Sequence, residues 1–173
     1  NYILPTFLKT AKKLQLRYPN LVVYIPSCRR VFDKKFRQGL EKYEIKGKVI
    51  SQQDNSKFMP YIYSLTKLAL CKSGTVNMEL ALYGIPQIIG YRVSRVTAFI
   101  AKKILNFKVR FISPVNLLIR SLIIPEFVQK NFNENKIYHK ACRLLDLNSE
   151  KSNINKGYNL LKKEWGEEGV VDR

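Results

Sequence analysis

Short apolar runs alternate along this chain with segments of helical period, and nothing between them signals a hairpin. The runs are Leu21-Val22-Val23-Tyr24-Ile25, Val49-Ile50, Leu68-Ala69-Leu70-Cys71, Gln87-Ile88-Ile89-Gly90-Tyr91 and Val109-Arg110-Phe111-Ile112. The first and third are continuously apolar, the composition of strands buried on both faces. Before the first run, Ile3, Leu4, Phe7, Leu8, Ala11 and Leu14 mark one helix face, with Pro5 tolerated in the first turn. Further helices are predicted over Val31–Tyr43, Met59–Leu65, Val76–Tyr83, Val96–Leu105, Pro125–Lys130 and Asn133–Leu145. Alternation of this kind builds a parallel sheet covered by helices on both faces, an α/β fold of Rossmann-like type. Ligands of such sheets sit beyond the carboxyl ends of the strands.

The sequence predicts one domain over residues 1–146 and a polar extension over 147–173, whose only helical stretch is a weak one at Tyr158–Trp165. Helical periodicity begins within three residues of Asn1, which is abrupt for a domain and predicts that further chain precedes it.

Charge narrows the partners. Lys and Arg number 31 against 13 Asp and Glu, a formal net charge of +18, so the field favours anionic ligands or surfaces. The basic residues are spread along the chain, as at Lys12-Lys13, Arg29-Arg30 and Lys102-Lys103, and are not gathered on one element with interleaved aromatics. That distribution disfavours a nucleic-acid reader. Cys28, Cys71 and Cys142 show no CxxC spacing and leave an odd thiol, so a reduced compartment is expected. His139 is the only histidine and has no companion at ligand spacing, so no metal site is expected. No apolar run approaches the roughly 18 residues that span a bilayer. The predicted helix Val96–Leu105 carries Arg95, Lys102 and Lys103 beside an apolar stripe. It either covers the sheet or rests its basic rim on an anionic membrane.

The stretch Lys72-Ser73-Gly74-Thr75, followed by a helix, is the richest in chemistry. A strand ends, a small-residue turn follows, and a helix N-terminus faces the carboxyl edge of the sheet. Free backbone amides and the positive end of the helix dipole suit a diphosphate there. Glu79 lies one turn further on and can accept hydrogen bonds from vicinal hydroxyls. Two readings stand on the residues alone. In one, Ser73 or Thr75 merely caps the helix and Glu79 is a first-turn acid; in the other, the turn and Glu79 hold a nucleotide. Arg92, at a strand end, is either a surface arginine or a fork for phosphate oxygens. Glu126, after Pro125, either starts a helix or faces a ligand.

The whole string Ser73-Gly74-Thr75…Glu79…Gly84-Ile85-Pro86…Gly90-Tyr91-Arg92-Val93-Ser94 resembles the ribose- and diphosphate-binding signature of nucleotide-sugar transferases built from two facing Rossmann-like domains. With Ile112-Ser113-Pro114-Val115-Asn116-Leu117-Leu118 and Ile124-Pro125-Glu126-Phe127-Val128-Gln129, it is similar to the C-terminal domain of the lipid-A-disaccharide synthase family. The match runs in register over about residues 1 to 145. Met78-Glu79 stands where Leu-Glu is usual, and the proline before Asn116 is shifted by one place. A Pro-Gly-Ser-Arg loop expected just ahead of Asn1 is not in the sequence.

The resemblance implies one half of a GT-B-type glycosyltransferase. Ser73, Gly74 and Thr75 would contact the diphosphate, Glu79 the ribose, Arg92 the phosphates, and Asn116 the donor cleft. It implies no cofactor, with a UDP-sugar as substrate, and places catalytic residues in an N-terminal acceptor domain outside these residues. The implied partners are a UDP-diacylglucosamine donor, an acylated glucosamine phosphate acceptor and an anionic membrane surface on its cytoplasmic side. Two alternatives share the Glu79 helix: a different UDP-sugar transferase or sugar-nucleotide epimerase, and a non-catalytic binding module.

Overall fold

The computed structural model describes residues 3–92 and 110–165. Its elements alternate as the sequence predicts: α1 (Ile3–Arg17), β1 (Val23–Pro26), α2 (Arg30–Lys42), β2 (Gly47–Ile50), α3 (Gln52–Leu65), β3 (Ala69–Lys72), α4 (Val76–Leu82) and β4 (Gln87–Tyr91). After residue 110 come α5 (Pro114–Ile119), β5 (Glu126–Val128), α6 (Glu134–Asp146) and α7 (Asn148–Trp165). All strand pairs are parallel, in two sheets of order β1-β2 and β3-β4-β5. The fold is α/β, with helices flanking parallel sheets as in a Rossmann-like half of a GT-B enzyme.

Several expectations need correction. Pro125–Lys130 is not a helix: Glu126–Val128 pairs with Ile89–Tyr91 as the third strand of its sheet, and a single 3-10 turn follows. Three residues are too few for alternation to register, and the preceding proline imitates a helix start. Residues 110–112 form a connection, not a strand, because Ile112 gives its amide to a side chain instead of a neighbouring strand. α3 is longer than predicted and holds Pro60 in its interior. β1 alternates half-buried and exposed residues and is not buried on both faces. The predicted helix Val96–Leu105 lies outside the described residues.

The main core gathers Ile88 and Ile89 of β4 with Val115, Ile124, Ile137, Leu144 and residues of α7. α7 begins ten residues before the predicted Tyr158–Trp165 stretch. Its Ile154, Tyr158 and Leu161 are buried in that core. Tyr158 donates its hydroxyl to the Ile85 carbonyl (3.0 Å) and accepts from the Gln87 amide (3.1 Å). Burial pushes its phenol well above the ordinary tyrosine range. Glu150 pins the helix start to α6 through Lys140 (2.7 Å) and Arg143 (2.5 Å).

α1 and α2 lie on one side, where Leu8, Leu40 and Ile45 pack with Val23 and Ile25. α3 and α4 meet elsewhere, through Tyr63, Leu80 and Ile85 against Ala69 and Cys71. α4 stops where the sequence predicts. Gly84 takes φ +69°, its amide bonds the Ala81 carbonyl (3.0 Å), and the Ile85 amide bonds that of Leu80 (2.9 Å). Only glycine adopts that φ without strain, and the pattern satisfies two carbonyls the helix end would strand.

Candidate functional site

Of the sequence-predicted residues, Ser73, Gly74, Thr75, Glu79 and Arg92 gather toward the carboxyl edge of the three-stranded sheet, while Asn116 bonds residues at the start of β5. β3 ends at Lys72 opposite Gly90, and β4 ends at Tyr91 opposite Val128. The Ser73–Thr75 turn leaves β3 here, and exposed Arg92 lies one residue beyond β4. The clefts flanking α2 are lined by other residues, among them Arg37, Glu41 and Lys48.

The turn is built by a residue the sequence reading passed over. Asn77 is fully buried. Its side-chain oxygen accepts the Gly74 amide (2.9 Å), and its amide group donates to the Lys72 carbonyl (3.2 Å) and the Cys71 sulfur (3.3 Å). Asparagine three residues after a glycine turn is a recognisable local signal for this kind of side-chain clamp. Neither Ser73 nor Thr75 caps α4 through its side chain. The Ser73 hydroxyl instead donates to the Ile112 carbonyl. The Gly74 amide is thus occupied within the chain, while those of Thr75 and Val76 meet no acceptor among the described residues. Thr75 is exposed beside them.

Glu79 is exposed on the first turn of α4. Tyr63, a buried residue of α3, is near enough for the Glu79 charge to act on its phenol. Burial first, then the charge and hydrogen bonding of Glu79, hold the Tyr63 phenol well above its ordinary value. Tyr63 in turn packs against the Tyr83 ring at 4.8 Å between centroids.

Asn116 and Glu126 form a second clamp. Asn116 is fully buried, and its side chain is saturated. It donates to the Ile124 carbonyl and to Glu126 Oε1 (2.8 Å each), and its oxygen accepts the amides of Ile123 and Ile124 (2.9 Å each). Two donors and two acceptors exhaust an asparagine side chain. All of its side-chain hydrogen-bonding groups are therefore engaged within the described residues. Glu126, on β5, receives the Ile112 amide (2.8 Å) and the Ser113 amide (2.9 Å) as well as Asn116. It neither starts a helix nor faces outward. Ser113 caps α5 by accepting the Asn116 backbone amide (3.1 Å). The chain Asn116–Glu126–Ile112–Ser73 thus locks the loop at residues 112–113 to the β3–α4 turn. Among the described residues, no group of three His, Cys, Asp or Glu side chains is placed to hold a metal ion.

The profile of the lipid-A-disaccharide synthetase family matches residues 1–170. The chain belongs to this family. Among curated lipid-A-disaccharide synthases, that of Prochlorococcus marinus is 41% identical over 172 residues, covering 99% of this chain and 44% of the relative. That of Gloeothece citriformis is 31% identical over the same length, again covering 99% and 44%. The synthase of Rickettsia typhi is 29% identical over 150 residues, 87% of this chain and 38% of that protein. The chain therefore spans less than half the length of the synthases it matches. Thr75, Glu79 and Arg92, and the hydrogen-bonded Asn77, Asn116 and Glu126, all lie within the residues that the family profile matches.

Proposed function

We propose that this chain is the donor-binding half of a lipid-A-disaccharide synthase. The proposed reaction transfers 2,3-diacylglucosamine from its UDP donor to 2,3-diacylglucosamine 1-phosphate and releases UDP. The observation that carries this reading is the match of residues 1–170 to a single family. The geometry adds support: Thr75, Glu79 and Arg92 are exposed together at the carboxyl edge of a parallel sheet, where such folds bind nucleotides. The unengaged amides of Thr75 and Val76 and the Arg92 guanidinium would meet the diphosphate. Glu79 would accept the ribose hydroxyls. Stabilisation of the departing UDP by such donors involves no metal in this reading. The acceptor and the proton-transferring groups would come from the remainder of a full-length synthase.

Calorimetry with UDP and its Glu79→Gln variant tests the site. The chain should bind UDP weakly and not turn UDP-sugars over alone. Glutamine keeps the shape but loses charge-assisted bonding, which contributes about 1.5–3 kcal/mol, so affinity should fall roughly ten- to a hundredfold. The melting temperature should barely move, because an exposed first-turn acid contributes only about 0.3–1 kcal/mol. Unchanged UDP affinity together with a lowered melting temperature would place the donor site elsewhere.

The net charge of +18 supports a working position against an anionic membrane on its cytoplasmic side. No described helix is long and apolar enough to cross a membrane. Co-sedimentation with vesicles containing anionic lipid should be strong at low salt and weak at high salt, since exposed charges are screened over about 10 Å at 0.1 M. Binding insensitive to salt would remove electrostatics as its cause.

A further inference from the structure

Gln87 opens β4 with an amide side chain where its neighbours Ile88 and Ile89 are apolar, and all three are fully buried. Burying a polar side chain costs free energy unless it is hydrogen-bonded. Gln87 meets that condition in three directions. Its side-chain nitrogen donates to the backbone carbonyl of Asn77 (2.9 Å) and to the hydroxyl of Tyr158 (3.1 Å). Its oxygen accepts the Cys71 thiol (3.5 Å). The thiol is available for this because burial pushes its pKa up to about 12, so it keeps its proton.

The bonds continue at both ends. On the α4 side, the Asn77 side chain donates to the Cys71 sulfur (3.3 Å) and accepts the Gly74 amide (2.9 Å). Gln87 therefore holds Asn77 twice, directly at its backbone carbonyl and indirectly through the thiol that Asn77 also bonds. On the α7 side, the Tyr158 hydroxyl donates to the Ile85 carbonyl (3.0 Å), which fixes its oxygen towards Gln87. Tyr158, Gln87 and Asn77 are each enclosed to within 1% of full burial, so water does not compete for these bonds. A satisfied network in so dry a place rigidifies what it joins.

What it joins is the last described helix and the turn at the carboxyl edge. Asn77 bonds within six residues of itself and builds the turn locally; Gln87 alone ties that clamp to α7, from 71 positions further along the chain. Once Gly74 is held by Asn77, the backbone that follows is fixed, and with it the unengaged amides of Thr75 and Val76. Donors held in place before a ligand arrives lose less freedom on binding it.

We propose that Gln87 and Tyr158 are positioning residues for the diphosphate: through the buried path Tyr158–Gln87–Asn77–Gly74, α7 sets the direction in which the Thr75 and Val76 amides face. The proposal rests on the donor-site reading above. Neither residue touches the ligand, and the polar extension of the sequence becomes part of the donor site by holding its turn.

The test compares Tyr158→Phe, which keeps the ring and removes only the hydroxyl, and Gln87→Met, which keeps the length and removes the hydrogen bonds. Ile154→Val, on the same buried face of α7 one turn earlier, removes packing without touching the path. Amide exchange at Gly74 should quicken roughly three- to tenfold in the first two variants, the worth of about one hydrogen bond, relative to the Ile137 amide in α6. UDP affinity by calorimetry should fall by roughly the same factor. Ile154→Val should lower the melting temperature yet leave the relative Gly74 rate and the UDP affinity at parent values. A Gly74 rate unchanged relative to Ile137 in Tyr158→Phe and Gln87→Met, or equal effects from Ile154→Val, would overturn the proposal. If Glu79→Gln weakens UDP binding and Tyr158→Phe does not, the positioning role fails and the donor site stands. If neither weakens it, the donor site falls and this proposal with it.

Discussion

Asn116→Ala is expected to lower the melting temperature by roughly 10 °C, through a cost of about 3–5 kcal/mol at 2–4 °C per kcal/mol for a domain of this size. The side chain is fully buried and makes four hydrogen bonds, two given and two received. Alanine leaves the Ile124 amide and carbonyl without partners, while the Ile123 amide keeps only the Ser121 carbonyl (3.1 Å), and an orphaned buried group costs about 1–3 kcal/mol. Glu126 loses one of its three donors at the same time. Asn116→Asp separates geometry from charge. Aspartate retains the oxygen that accepts from Ile123 and Ile124 but sets a second carboxylate against Glu126, so it should be as damaging near neutral pH and milder in acid. Thermal melts of the two variants at pH 7 and pH 4 check both statements. If Asn116→Ala melts within 2–3 °C of the parent, the side chain does not support the loop as its contacts imply.

The same residue marks what the sequence could and could not reveal. Strand and helix alternation was legible because each element is long enough to show its period: β4 spans the predicted Gln87–Tyr91, and α6 lies within one residue of prediction at each end. The Ser73–Glu79 segment was legible as strand, turn and helix for the same reason. Its internal wiring was not. Nothing in a one-dimensional pattern distinguishes an asparagine that meets a ligand from one saturated by residues seven to ten positions away, as Asn116 is by Ile123, Ile124 and Glu126. β5 was missed because three residues carry no period and its pairing partner is remote in sequence. The early turns of α7 were missed because polar residues separate its anchors Ile154, Tyr158 and Leu161, whose spacing of three and four becomes a stripe only once the core is there to receive it.

Gly90→Val should destabilise the protein by about 3 kcal/mol or more, at the upper end of what overpacking costs, and lower the melting temperature by roughly 6–12 °C. Valine is the better strand residue by propensity, so an argument from local preference predicts stabilisation. Packing decides otherwise. A Cβ at Gly90 would lie 2.2 Å from the Phe132 ring and 2.6 Å from that of Phe7. Those rings are themselves locked edge-to-face at 5.3 Å, so neither can swing away without breaking the other's contact. Phe7 belongs to α1, whose Leu8 packs with Val23 and Ile25 of β1, and Phe132 leads into α6. Relief of the clash would therefore displace α1 at the carboxyl edge, beside the end of β3 and the Ser73–Thr75 turn. Two readouts follow from that placement. Gly90→Val should melt early and also weaken UDP binding, whereas Gly90→Val combined with Phe7→Ala should recover part of the stability by opening room for the new side chain. A double variant no more stable than Gly90→Val alone would show that the ring of Phe7 is not what excludes a side chain from this position.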